Sequence, residues 1–225
     1  MKIVASALVA LALAPASLAG NVLFDQLAHD QVASLWGSQL NADPQRNWRS
    51  FDNFTLGGDS QVTGVDWSGY LDFRGGETVE LAPLTAITGF QITFYETDTQ
   101  TGLPGAVISD QLIASALVTE SNFGLPDSTY SAEISSVALQ GGVNYWMSVA
   151  AVLPNPDGAV LIWRGGAGNA PLPGGDAQSA FDASVNGVDG FRPLDLLFQL
   201  RGVPTPGSAG LMALAGLAAL RRRRA

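Results

Sequence analysis

A chain of 225 residues, 14% of them charged and 47% hydrophobic, has room for one ordinary domain plus targeting segments. The absence of cysteine excludes disulfides, thiol catalysis and cysteine-based zinc or iron–sulfur sites. Lys2 and Arg221–Arg224 stand apart at the termini, so the middle sets six basic residues against 20 acidic ones, a net charge of −14 that repels phosphate polyanions and argues against nucleic acid as a partner.

Residues 1–19 open with Lys2, continue through an apolar stretch from Ile3 to Ala14, break at Pro15, and place Ser17 and Ala19 three residues and one residue before the expected cut. This is the layout of a secretory signal peptide cleaved after Ala19. Its apolar run of about 12 residues is too short for a span, which needs about 20.

Residues 20–202 are expected to form one folded domain. Phe24–Trp36 is the one stretch with the character of a helical turn. Strands are expected over Phe51–Leu56, Val62–Trp67, Thr78–Leu81, Ile87–Glu96, Ile108–Val118, Thr129–Val137, Asn144–Val152, Val160–Arg164 and Leu194–Arg201, where β-branched and aromatic residues recur between Gly, Pro, Asn and Asp clusters. In "GFQITFYE" the residues Phe90, Ile92 and Phe94 alternate with Gln91, Thr93 and Tyr95, so one face seeks a core. About nine strands without interposed helices predict an all-β fold, an antiparallel β-sandwich of jelly-roll type. Gly165–Asp176 reads as its longest loop.

Candidate chemistry is sparse. The only histidine, His29, stands next to Asp30 with no G-x-S-x-G elbow to serve, and the scattered carboxylates single out no glycosidase pair. The domain is therefore read as non-catalytic. Asp52, Asn53 and Asp59, then Asn155 and Asp157, then Asp182, Asn186 and Asp189 supply the oxygen ligands that a structural calcium ion takes, without the EF-hand order. Their bland role is in Asx turns, and no cofactor follows from them. Among five tryptophans, Trp67, Trp146 and Trp163 fall in strand patterns suited to a core, while Trp36 and Trp48 lie in a less regular region where an exposed ring could stack on a polysaccharide. A carbohydrate-binding module is thus the alternative reading, and a secreted glycan hydrolase the third.

Residues 203–225 form a tail. "RGVPTPGS" reads as a linker. Ser208–Leu220 is expected to be a short hydrophobic helix about 20 Å long, against a hydrocarbon core about 30 Å thick. Arg221, Arg222, Arg223 and Arg224 then hold its end in the cytoplasm.

The tail "VPTPGSAGLMALAGLAALRRRRA" resembles the PEP-CTERM sorting signal of Gram-negative bacteria: a Pro-x-Pro motif, a Gly- and Leu-rich hydrophobic segment and a terminal arginine cluster. The motif falls on Val203, Pro204, Thr205, Pro206 and Gly207, with Thr205 where the usual motif has Glu. The resemblance implies an exosortase-type peptidase as partner, transient retention in the inner membrane, and delivery to the cell surface or extracellular matrix. More loosely, "FDNFTLGGDSQVTGVDWSGYLDF", "GFQITFYETDTQTGLPGAVISDQ", "GGVNYWMSVAAVLPNPDGAVLIWRG" and "DLLFQLRG" look like a β-rich domain of such exported proteins. That likeness implies a sandwich and assigns no activity.

Overall fold

In the computed structural model the residues described are 20–27, 32–41, 47–73, 81–121, 128–154, 159–167, 179–182, 190–192 and 194–205. Among them the chain is built from strands: β1 (Asn21–Asp25), β2 (Val32–Leu40), β3 (Arg49–Thr55), β4 (Ser60–Phe73), β5 (Gly89–Thr97), β6 (Pro104–Ala114), β7 (Thr119–Ser121), β8 (Thr129–Leu139), β9 (Asn144–Val152), β10 (Ala159–Ala167), β11 (Ser179–Asp182), β12 (Gly190–Arg192), β13 (Leu194–Leu196) and β14 (Phe198–Pro204). The only helical pieces among these residues are single 3-10 turns at Leu84–Ala86 and Ser115–Leu117.

Two layers face each other. One has the order β7-β8-β4-β14-β1 and is antiparallel throughout. The other has the order β6-β5-β9-β3-β11-β12, also antiparallel. Strand β4 is long enough to leave the first layer. Its last five residues pair with β10, which pairs in turn with β2, and the end of β2 runs parallel to β9 through Gln39↔Ala151 and Leu40↔Val152. This corner joins the layers and makes the sheet mixed where a purely antiparallel one was expected.

Aromatic side chains fill the space between the layers. Trp67 of β4 meets Phe90 of β5 edge-on at 4.9 Å between ring centres, and Phe198 of β14 meets Phe54 of β3 at 6.0 Å. Such offset and edge-on contacts suit the ring quadrupoles and add to the burial of large apolar surface. Phe90, Ile92 and Phe94 all point inward, as the alternation predicts. Tyr95 points to the opposite face, where it joins Phe51 and Trp146 in a smaller cluster covered by Leu103.

Several expectations are corrected. The Phe24–Trp36 stretch holds no helical turn among its described residues: it contributes the end of β1 and the first part of β2, because Phe24 is needed against Phe54 and Phe198 in the core. The described strands number fourteen where about nine were expected, since short pieces such as β7, β12 and β13 carry too few residues to show a period. Leu194–Arg201 is two strands divided at Leu197, and the expected loop at Gly165–Asp176 begins as the end of β10. Of the Thr78–Leu81 strand, only Leu81 lies within the described residues, bridged to Asp72. No helix among the described residues is long and apolar enough to cross a membrane, and both the signal segment and the helix expected over Ser208–Leu220 lie outside them.

Candidate functional site

Strand β14 brings together the residues that the tail motif makes important. Its sequence alternates Phe198 and Leu200, both fully buried, with Gln199 and Arg201 on the outer face. Arg201 is held firmly there. Its Nε donates to Asp66 Oδ2 at 2.9 Å, Nη1 to Glu133 Oε1 at 2.5 Å and Nη2 to Ser131 Oγ at 3.2 Å, so one guanidinium ties β14 to β4 and β8. Its register partner is Gly64, and a Cβ added there would sit 2.6 Å from the guanidinium carbon. Glycine at 64 is what lets the fork lie flat on the sheet.

Beyond Arg201 the ladder slips by one residue, and Gly202 faces Val62. A Cβ on Gly202 would come within 2.0 Å of the Gln61 carbonyl oxygen, so only glycine allows this approach. The strand then continues two residues past 202 into the segment read as a linker: Val203 pairs with Gln61 and Pro204 with Ser60. The Thr205 N–H donates to the Asp59 carbonyl at 2.8 Å. In an antiparallel ladder this bond makes Pro204↔Ser60 a pair that exchanges no hydrogen bonds, which is why a residue without an N–H fits there. Val203 is 57% exposed, so this end is fixed by backbone pairing and not by burial. On the other side β1 pairs Asn21 with Gly202, so the two ends of the described domain lie side by side. Ala19, Pro206, Gly207 and Arg221–Arg224 lie outside the described residues.

Asp59 is a turn residue. Its side chain accepts the Gly141 N–H at 3.0 Å while its carbonyl holds Thr205, which links the β8–β9 turn to the end of β14. Asp52 and Asn53 follow each other on β3 and therefore point to opposite faces. Asp52 is fully buried. Its Oδ2 accepts from Gln26 Nε2 and from the Leu196 N–H, each at 2.6 Å, and its Oδ1 accepts from the Asn53 N–H at 2.9 Å. Burial first and the charge of Asp195 second hold its carboxyl well above the ordinary range, against the pull of those donors. The trio Asp52, Asn53 and Asp59 thus does not converge on a common point, and no group of three acidic or histidine side chains among the described residues could hold a metal ion. Asp52 and Asp195 form a carboxylate pair, but at 0% and 4% exposure neither meets a glycan. His29, Asn155, Asp157, Asn186 and Asp189 lie outside the described residues, and of Asp182 only its place at the end of β11 is described.

Trp67 and Trp146 are buried, as expected. Trp48 is 37% exposed at a bridge to Gln39, and Trp36 stands opposite Trp163 in the β2–β10 pairing. Through Gln39, Trp48 thus reaches β2, the strand that carries Trp36, three positions further along it. A surface cleft of about 530 Å³ opens elsewhere, beside the β8–β9 turn, lined by Glu96, Thr97, Gln140, Asn144 and Tyr145 among others. The Thr97 hydroxyl donates to the Asn144 carbonyl at 2.7 Å and the Tyr145 hydroxyl accepts from the Gln140 N–H at 3.1 Å, so these groups serve the fold. The ring of Tyr145 is buried and offers a sugar no platform.

Sequence reading picked out the motif but missed its supports, Arg201, Gly64, Gly202 and Asp59. The one local signal was the glycine that ends the alternation in "FQLRG", since a glycine inside a strand pattern marks a bulge or a close approach. The fold and this site define an all-β protein of two packed layers. Comparison with protein-family models, curated proteins and solved structures found no match for the chain.

Proposed function

We propose that this chain is an exported protein of the cell surface or extracellular matrix, a non-catalytic β-sandwich delivered through a C-terminal sorting signal. The observation that carries the reading is the three-part tail: Pro204-Thr205-Pro206, the apolar Ser208–Leu220 and the cluster Arg221–Arg224, in a chain that also opens with a signal-like segment. An exosortase-type peptidase is the implied partner, with transient retention in the inner membrane before release. Non-sequential neighbours in both layers, such as β4 beside β14 and β3 beside β9, support a jelly-roll-like sandwich. The adjacency of Asn21 and Gly202 supports the same reading, because the start of β1 and the end of β14 then lie at one end of the same layer, and removal of what precedes and follows them takes no strand from the core.

Intact mass spectrometry of the protein recovered from its native host tests this. The expected species lacks residues 1–19 and also lacks Arg221–Arg224. A mature chain that retains the arginine cluster would overturn the processing step.

A further inference from the structure

We propose that the sandwich masks the first half of its own sorting motif, so that processing requires the Val203–Thr205 end of β14 to peel away from β4. The inference rests on the sorting reading above and adds a gate to it. Val203 and Pro204 are in register with Gln61 and Ser60, and the Thr205 N–H is committed to the Asp59 carbonyl. A peptidase that takes its substrate as an extended strand needs backbone groups of this segment, and here Val203 is already paired with Gln61 and the Thr205 N–H is already taken by Asp59.

Peeling has a defined stop. Past Gly202 the side chains add little, since Val203 is largely exposed, so opening there breaks few contacts. At Arg201 it meets the three-way tie to Asp66, Glu133 and Ser131, and then the buried Leu200 and Phe198. The end of the strand can therefore be handed over while the core stays closed. Because the mask is made by pairing to β4 and Asp59, it forms only once β14 has docked on β4, which makes exposure of the motif a property of incompletely folded or locally opened chains.

The test uses the full chain in its native host with a crosslink that closes the gate. Gln61→Cys with Val203→Cys joins a register pair in a chain that has no other cysteine. Loss of the tail is followed by pulse labelling and mass spectrometry, in the same variant with and without a small dithiol reductant in the medium. The expected result is tail removal about tenfold slower in the oxidised form, since cleavage of a locally opened segment tracks the open population. A second variant acts in the opposite sense. Gly202→Ala, whose Cβ would strike the Gln61 carbonyl, should pry the end off and speed removal at least severalfold. Equal rates in the oxidised and reduced forms, at any level, would overturn the mask, as would a Gly202→Ala chain that folds yet is cut no faster than wild type. Loss of the tail from none of these chains, wild type included, would instead overturn the sorting reading and this inference with it.

Discussion

The two halves of β14 have the same secondary structure and opposite commitments. From Phe198 to Arg201 the strand is part of the core: Phe198 and Leu200 are fully buried, and Arg201 is tied to β4 and, beyond it, β8. From Val203 to Thr205 the chain keeps its pairing to β4 and Asp59 but little else. Strand pairing alone does not make a segment stable. What separates the halves is apolar burial and charge pairing on the first and their absence on the second, so one strand anchors the fold and also presents a segment that can be released.

The sharpest way to break the first half is Phe198→Ala. Its ring stacks on Phe24 at 5.2 Å and meets Phe54 across the layers, so truncation opens a cavity where β1, β14 and β3 converge. The expected loss is about 3–5 kcal/mol, read from denaturant unfolding of residues 20–205. A smaller loss would mean that the two layers can collapse onto the gap.

Asp52 tests the polar tie just before β14. Asp52→Ala leaves the buried Leu196 N–H and Gln26 Nε2 without this acceptor, at an expected cost of about 2–3 kcal/mol. The wild-type carboxyl also carries a pH signature. Its folded pKa lies above the ordinary value of 3.8, so the folded state binds its proton more tightly than the unfolded state. The stability it contributes is therefore fully present below that value and falls as pH rises through the raised pKa. Chemical unfolding between about pH 3.5 and pH 8 should show a decline in wild type that is shallower in Asp52→Asn, and identical slopes would mean that Asp52 does not govern it. The whole domain is acidic, so the difference between the two chains is the informative quantity.

The main layers were legible where the sequence alternates. Phe90, Ile92 and Phe94 on β5 and the bounds of β9 follow from period-2 patterning and from the turns that flank them. Strand β1 was not legible: five residues preceding a polar stretch carry no period, and Phe24 shows its purpose only once Phe54 and Phe198 arrive from far along the chain. The parallel contact of β2 with β9 has no local signal either, since it is made where long strands leave their layers. The site divides the same way. Pro204-Thr205-Pro206 is visible as a string, but the pairing of Val203–Thr205 to Asp59–Gln61 depends on register set by a bulge.

Arg201→Ala is the smallest of these effects and the one aimed at the boundary between the halves. The guanidinium is mostly buried, with its side chain 16% exposed, and Asp66 beside it is 13% exposed. Glu133 is 66% exposed, so that arm is screened and worth little. The bond to Asp66 dominates, and removing it leaves a mostly buried carboxylate without its counter-charge, for an expected loss of about 1–2 kcal/mol. The location of the loss matters more than its size. If Arg201 is the stop for fraying, its removal should carry fast amide exchange from Thr205 inward past Gly202 to Leu200, while amides of β5 and β9 stay protected. A uniform rise in exchange across the described strands would mean that Arg201 supports the whole fold and sets no boundary within β14.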